Sequence, residues 1–197
     1  MARRTGFVKT PGWPGAGIDA SGAVRNRQER PGSPGSFAIP LFLVAQLFAL
    51  PFPSCAETVT GIPRVIDADT VHVAGERIRL KDIDAPETQQ QCENGNAERV
   101  FCGLVSTRRL EARIGPTAIT CALDPKRDRY GRRLGTCYAA DGENLHRWLV
   151  RNGLALAYRK YSMRYVPDEA AARSAKVGMW AGRFVPPWRW RRGERLE

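Results

Sequence analysis

The sequence predicts an α+β domain, a five-stranded OB-type barrel accompanied by three helices. Three observations lead there. β-rich segments come as a group of three and then a group of two, with a stretch at helical spacing between the groups. Two more helical stretches follow the last strand. The chain of 197 residues is long enough for one domain with a real core and too short for two ordinary ones once its first 56 residues are set aside.

Residues 58–66 and 70–73 are rich in Val, Ile and Thr and read as strands, with Asp67-Ala68-Asp69 as the turn between them. Ala74-Gly75-Glu76 turns into a third strand over residues 77–83, where Ile78, Leu80 and Ile83 supply apolar positions and Arg77, Arg79 and Lys81 alternate with them. From about residue 93 to 114, Ala97, Val100, Phe101, Leu104, Leu110 and Ile114 recur at helical spacing, and Gly115-Pro116 stops the run. Residues 117–123 and 133–139 form the second group of strands, joined by a polar segment over 124–132 and followed by the turn Asp141-Gly142. Residues 143–152 carry Leu145, Trp148 and Leu149 on one stripe, with Gly153 just past the end. The third helix is expected over 168–180, opening on Asp168 and Glu169, acids that suit a helix N-terminus. A tail over 183–197 mixes Trp188 and Trp190 with arginines, and the sequence leaves open whether it extends a nucleic-acid contact or packs on the barrel.

The N-terminal part differs in kind. Residues 1–36 are rich in Gly, Pro, Ser and Arg without apolar periodicity, so no packed structure is expected. Residues 37–52 (FAIPLFLVAQLFALPF) carry no charge and follow Arg25, Arg27 and Arg30. That run is short for a membrane span and right for the hydrophobic region of a secretory signal, and Ser54-Cys55-Ala56 offers small residues for a cut after Ala56. The expectation is an exported protein, periplasmic or secreted, comprising a domain over 57–182 and the tail, with no membrane attachment after the cut.

Four cysteines follow that position: Cys92, Cys102, Cys121 and Cys137. An even number in an exported domain points to disulfides. None of the four has the close C-x-x-C spacing of a zinc site, and His72 and His146 lie far from them, so both histidines are read as structural. Of the three possible pairings, Cys92 with Cys102 and Cys121 with Cys137 close the short loops, each contributing roughly 3 kcal/mol in the chain-entropy model.

Lys and Arg number 31 against 20 Asp and Glu, a net charge of +11. Six basic and two acidic residues fall in 1–56, leaving 25 basic and 18 acidic residues beyond it, a net +7. Any affinity for polyanions would therefore survive loss of the N-terminal part, though charge alone fits a merely basic soluble protein equally well. Acidic groups nevertheless gather at turns. Asp67 and Asp69 lie in the first turn, and Asp84 and Glu87 follow the third strand; in a three-stranded meander these points share one sheet edge. Clustered carboxylates repel unless a cation sits among them, and oxygen ligands suit Ca²⁺ or Mg²⁺ better than zinc. Arg79 leads into Asp84, and Arg132 closes the loop Asp128-Arg129-Tyr130-Gly131-Arg132. A hard cation with two guanidinium forks matches what phosphodiester hydrolysis needs.

Four segments together resemble the successive signatures of the staphylococcal nuclease (thermonuclease) family, in its order and at its spacings: Val65-Ile66-Asp67-Ala68-Asp69-Thr70-Val71, Arg79-Leu80-Lys81-Asp82-Ile83-Asp84-Ala85-Pro86-Glu87, Asp128-Arg129-Tyr130-Gly131-Arg132 and Leu149-Val150-Arg151-Asn152-Gly153-Leu154-Ala155. The resemblance implies an OB-type barrel with three helices and a single Ca²⁺, held by Asp69, Asp84 and the backbone carbonyl of Ala85. It implies Glu87 as the residue acting on water, and Arg79 and Arg132 as the phosphate-binding, catalytic arginines. Tyr130, Tyr158 and Tyr161 match positions that contact the nucleotide. The implied activity is a calcium-dependent nuclease on DNA and RNA, single strands preferred, acting as a monomer without a stable protein partner. The competing reading is a catalytically inactive OB-fold module that only binds nucleic acid. The sequence departs from the family at Ala68, where Gly is usual and a positive φ would be costly for Ala, and in its four cysteines, which suggest an exported bacterial subgroup.

Overall fold

The computed structural model describes residues 57–197, so the apolar run over 37–52 and the cut after Ala56 lie outside the described residues. Six strands form one mixed sheet: β1 (Glu57–Gly61), β2 (Arg64–Asp67), β3 (Thr70–Val73), β4 (Glu76–Leu80), β8 (Ile119–Arg127) and β9 (Arg133–Tyr138), in the order β1-β8-β9-β4-β3-β2. All neighbours run antiparallel except β4 and β9. The expected first strand over 58–66 is therefore two strands. Ile62 and Pro63 break it, since proline has no N–H to give to a ladder. The halves lie on opposite edges of the sheet, β1 on β8 and β2 on β3. Two residues span only about 7 Å, so joining both edges through them forces the sheet to curl into a barrel. Gly61 passes against Val73 and Ala74 at this closure.

The β3–β4 hairpin turns through Ala74 (φ 48°) and Gly75 (φ 84°), the two left-handed residues a tight hairpin favours. Within β4, Ile78 and Leu80 are fully buried and Arg79 points the other way, the alternation the sequence predicts. The strand ends at Leu80 rather than at 83. Asp82, at φ 68°, turns the chain into a two-residue strand β5 (Ile83–Asp84), which pairs with β10 (Leu156–Ala157).

The helix expected from residue 93 begins only at Cys102. Residues before it form a small hairpin, β6 (Gln91–Glu93) with β7 (Arg99–Phe101), and α1 covers Cys102–Ile114. Turn chemistry outweighs the helical spacing here: the Asn94 side chain accepts from the N–H groups of Asn96 and Glu98, and Ala97 sits at φ 60°. The Cys92–Cys102 disulfide ties this hairpin to the helix start, and Cys121–Cys137 joins directly opposed residues of β8 and β9. Helix α2 (Leu145–Arg151) is capped by the Asn144 side chain, which accepts from Arg147 N–H. Helix α3 (Val166–Ser174) carries Pro167 in its first turn and ends earlier than expected, because Lys176 and Gly178 adopt positive φ; a 3₁₀ turn over Gly178–Ala181 follows. The C-terminal segment packs on the domain through buried Val185 and Pro187 and contains a four-residue helix α4 (Pro187–Trp190). Among the described residues no helix is long and apolar enough to cross a membrane.

Two contacts fix the residues after β4. His146, fully buried on α2, donates through Nδ1 to the Lys81 carbonyl (2.8 Å) and accepts the Cys137 N–H at Nε2 (3.0 Å). It must be neutral to do both. Burial first, and then Lys81 and Arg164 nearby, lower its pKa to about 4 against bonding to the Lys81 carbonyl. At the other end, a Cβ on Gly103 in the first turn of α1 would overlap the backbone carbonyl of Glu87. Only glycine lets the helix lie this close.

Both contacts are testable. The unfolded chain takes up a proton on His146 below about pH 6.5 while the folded chain does not. This group's contribution is therefore fully present above that pH and falls by about 3 kcal/mol towards pH 4. Urea unfolding of His146→Gln from pH 4 to 8 should show a shallower acid slope and a lower plateau. Gly103→Ala should lose about 1–3 kcal/mol in thermal unfolding, as expected when a packed contact is overfilled.

Candidate active site

The β3–β4 register sets Thr70 opposite Arg79, and the Asp69 carbonyl accepts the Leu80 N–H at 2.8 Å, so Asp69 lies beside the Arg79 side chain. The guanidinium forks onto both Asp69 oxygens, Nη1 to Oδ1 at 3.1 Å and Nη2 to Oδ2 at 3.0 Å. Nη2 also donates to Asp84 Oδ1 at 3.0 Å. Asp84 reaches this point because Asp82 redirects the chain into β5, which β10 holds in place. β10 in turn is anchored by Glu169 of α3, which accepts the Ala157 N–H (2.7 Å) and pairs with Arg159 (2.9 Å). The Ala85 N–H donates to Asp69 Oδ2 at 3.3 Å, closing the group.

Both carboxylates are withdrawn from water, with side-chain exposures of 8% for Asp69 and none for Asp84. Burial pushes Asp69 up to about 6, with Asp67 adding to the rise while Arg79, the Ala85 N–H and Arg132 oppose it. Burial likewise raises Asp84, against Arg191 and Arg79. Two such acids side by side are a place where additional positive charge is favourable.

Arg132 approaches from the loop between β8 and β9. Asp128 organises that loop, its Oδ1 accepting from Tyr130 and Arg132 N–H groups and its Oδ2 from Arg132 Nε at 2.9 Å, while Gly131 takes φ 76°. Burial pushes the Asp128 carboxyl up, but these donors together hold it below the ordinary carboxylate range. Arg132 Nη1 then donates to Thr70 Oγ1 (3.2 Å), whose hydroxyl donates to Asp69 Oδ1 (3.2 Å). Tyr130 is 64% exposed, with Arg129 and Arg132 against its ring at 4.8 and 5.4 Å.

Glu87 lies at the solvent side, its N–H bonded to Gln90 Oε1 (3.3 Å), while Gln90 Nε2 donates to the Val185 carbonyl (2.6 Å). A residue the sequence reading did not single out joins it here. Arg191, just after α4, donates from Nη1 to Glu87 Oε1 at 2.8 Å and from Nη2 to Asp84 Oδ2 at 2.6 Å. Nothing in an arginine-rich tail distinguishes this arginine from its neighbours. The only available signal was the presence of tryptophans able to dock such a tail.

Asp69, Asp84, Ala85, Glu87, Arg79 and Arg132 thus form one connected group. Asp67 stands beside this group: its Oδ1 accepts the Asp69 N–H (3.0 Å) and serves the turn, and its charge adds to the rise of Asp69. Ala68 is fully buried and is not among the positive-φ residues, so the turn carries no backbone strain there. Tyr158 and Tyr161 pack edge-to-face at 4.9 Å, and Trp188 of α4 stacks on Tyr158 at 5.8 Å. Among the described residues no three His, Cys, Asp or Glu side chains gather into a metal cage. The oxygens that converge there belong to two buried carboxylates, and this hard-oxygen chemistry fits a hard cation on Asp69 and Asp84.

Comparisons with known proteins identify the family. Residues 77–182 match the family described as staphylococcal nuclease homologue. An uncharacterized endonuclease of Escherichia coli O157:H7 is 37% identical over 156 residues, covering 76% of this chain and 94% of that protein. The micrococcal nuclease of Shigella flexneri is 31% identical over 160 residues, covering 73% and 86%. A protein of Rhizobium meliloti (strain 1021) named succinoglycan biosynthesis protein ExoI is 34% identical over 164 residues, covering 83% and 85%. With its curled mixed sheet, its helices and these relatives, the chain belongs to the staphylococcal nuclease family and is a nuclease.

Proposed function

We propose that the protein is an exported, Ca²⁺-dependent nuclease that hydrolyses phosphodiester bonds of DNA and RNA, single strands in preference to duplex. One observation carries the catalytic part. Two guanidinium groups reach the same buried carboxylate, Arg79 directly and Arg132 through the Thr70 hydroxyl, while Glu87 stands nearby with a 42% exposed side chain. Export is supported by the apolar run over 37–52, the small residues before position 57 and the two disulfides.

In this reading, Arg79 and Arg132 exchange carboxylate and hydroxyl partners for phosphate oxygens, whose geometry matches a guanidinium fork. They hold the phosphorus at the mouth of the site and stabilise the charge that builds on its oxygens. Glu87 accepts a proton from the attacking water, whose oxygen bonds to phosphorus as the bond to the leaving sugar oxygen breaks; that oxygen takes a proton from solvent. A Ca²⁺ held by Asp69, Asp84 and the Ala85 carbonyl would supply further charge neutralisation. The exposed rings of Tyr130 and Tyr161 offer faces to unstacked bases, which supports the preference for single strands.

A zymogram on single-stranded DNA should show clearing with Ca²⁺ and none after chelation; binding without cleavage in both conditions would overturn the proposal. In steady-state assays Glu87→Ser and Arg132→Ala should each lower kcat by about 10²–10⁴-fold, with circular dichroism unchanged. Wild-type rates in both variants would remove these residues from the mechanism.

A further inference from the structure

Asp84 and Glu87 are covered from outside by one guanidinium that comes from the far C-terminal segment. Arg191 uses both terminal nitrogens, one on Asp84 Oδ2 and one on Glu87 Oε1. Arg79 takes the other oxygen of Asp84 and both oxygens of Asp69. Together the two arginines engage every acidic group of the site.

The two are not equally removable. Arg79 belongs to the middle of β4, between the fully buried Ile78 and Leu80, with 19% of its side chain exposed. Arg191 follows a four-residue helix and is 36% exposed. Its segment is nevertheless seated rather than loose. Trp188 stacks on Tyr158 and packs on the small cluster built from the Cys92–Cys102 disulfide, Leu156 and Met179. Pro187 is buried, and the Val185 carbonyl is held by Gln90, the residue that also bonds the Glu87 backbone. The arm is therefore docked on the same loop that carries Glu87.

We propose that the C-terminal arm is an autoinhibitory strap: Arg191 occupies Asp84 and Glu87 in competition with the divalent cation, and lifts away when the cation binds. The inference rests on the calcium reading above. A compact monovalent guanidinium satisfies both acids while the cation is scarce and relieves the cost of leaving them buried and unpaired. A divalent ion brings twice the charge to Asp84, so the exchange is set by its concentration. The strap thus gives the enzyme a calcium threshold higher than its bare ligands would have, and leaves Glu87 free to receive a proton only once the cation is in place.

The test is calorimetric titration of the processed protein with CaCl₂, in wild type and variants side by side. Arg191→Gln should tighten Ca²⁺ binding on the order of tenfold or more, given the size of a charge-assisted hydrogen-bond pair. Trp188→Ala, which unseats the arm, should shift affinity in the same direction. Arg195→Gln, on the same arm but stacked over Trp190 at 4.3 Å, should leave affinity at the wild-type value. Equal or weaker Ca²⁺ binding in Arg191→Gln would overturn the strap while leaving the calcium reading intact. Absence of Ca²⁺ uptake by both wild type and Arg191→Gln would overturn both.

Discussion

The structure turns on Asp84, a carboxylate with no exposure to water inside a basic protein. An unpaired charge in such a position is costly, so the surroundings are organised to hold cations against it. Arg79 meets one of its oxygens and Arg191 the other, and Asp69 shares the first of these arginines. Much of what is unusual in the fold follows from bringing this acid to its place. The left-handed Asp82 bends the chain off the sheet, and β5 is a strand of only two residues that exists because β10 meets it.

Support for that placement is distributed over all three main helices. Helix α2 contributes His146, whose two nitrogens join the Lys81 carbonyl to β9. Helix α3 contributes Glu169, which holds β10. Helix α1 starts against the Glu87 backbone through Gly103 and is tied to the neighbouring hairpin by a disulfide. Each of these elements thus bears on the acids through a backbone contact, a hydrogen bond for α2 and α3 and close packing for α1. His146 and Glu169 would each pass for an isolated charged or polar residue on a helix.

How far the sequence revealed this depended on whether the signal was local. Alternation in β4 and the register of the hairpin at Ala74-Gly75 were legible because period and turn chemistry agree there. The pairing of the cysteines was legible because short loops are favoured. The break at Ile62-Pro63 was written in the proline, but the β-rich residues on both sides masked it. At 94–101 a helical spacing and an Asn-Gly turn competed, and the side-chain bonds of Asn94, which no periodicity records, decided in favour of a hairpin. The convergence of Asp69, Asp84 and Glu87 could be argued from the meander, whereas the bond of Asp67 to the Asp69 N–H is a side-chain detail that no spacing records. The role of Arg191 was illegible, since a contact across more than a hundred residues leaves no local trace.

The break at Pro63 reaches beyond the active site. A curled sheet whose edges are consecutive pieces of one short stretch has five residues of β1 on one side and four of β2 on the other. Exposed strand edges are templates on which a second chain can add itself, and proteins blunt them by keeping them short and breaking them with proline. Here a single proline shortens both edges at once and turns them towards each other. A barrel made in this way keeps both of its free ladders short, so the same kink that shapes the fold also limits the unpaired N–H and C=O groups along its edges.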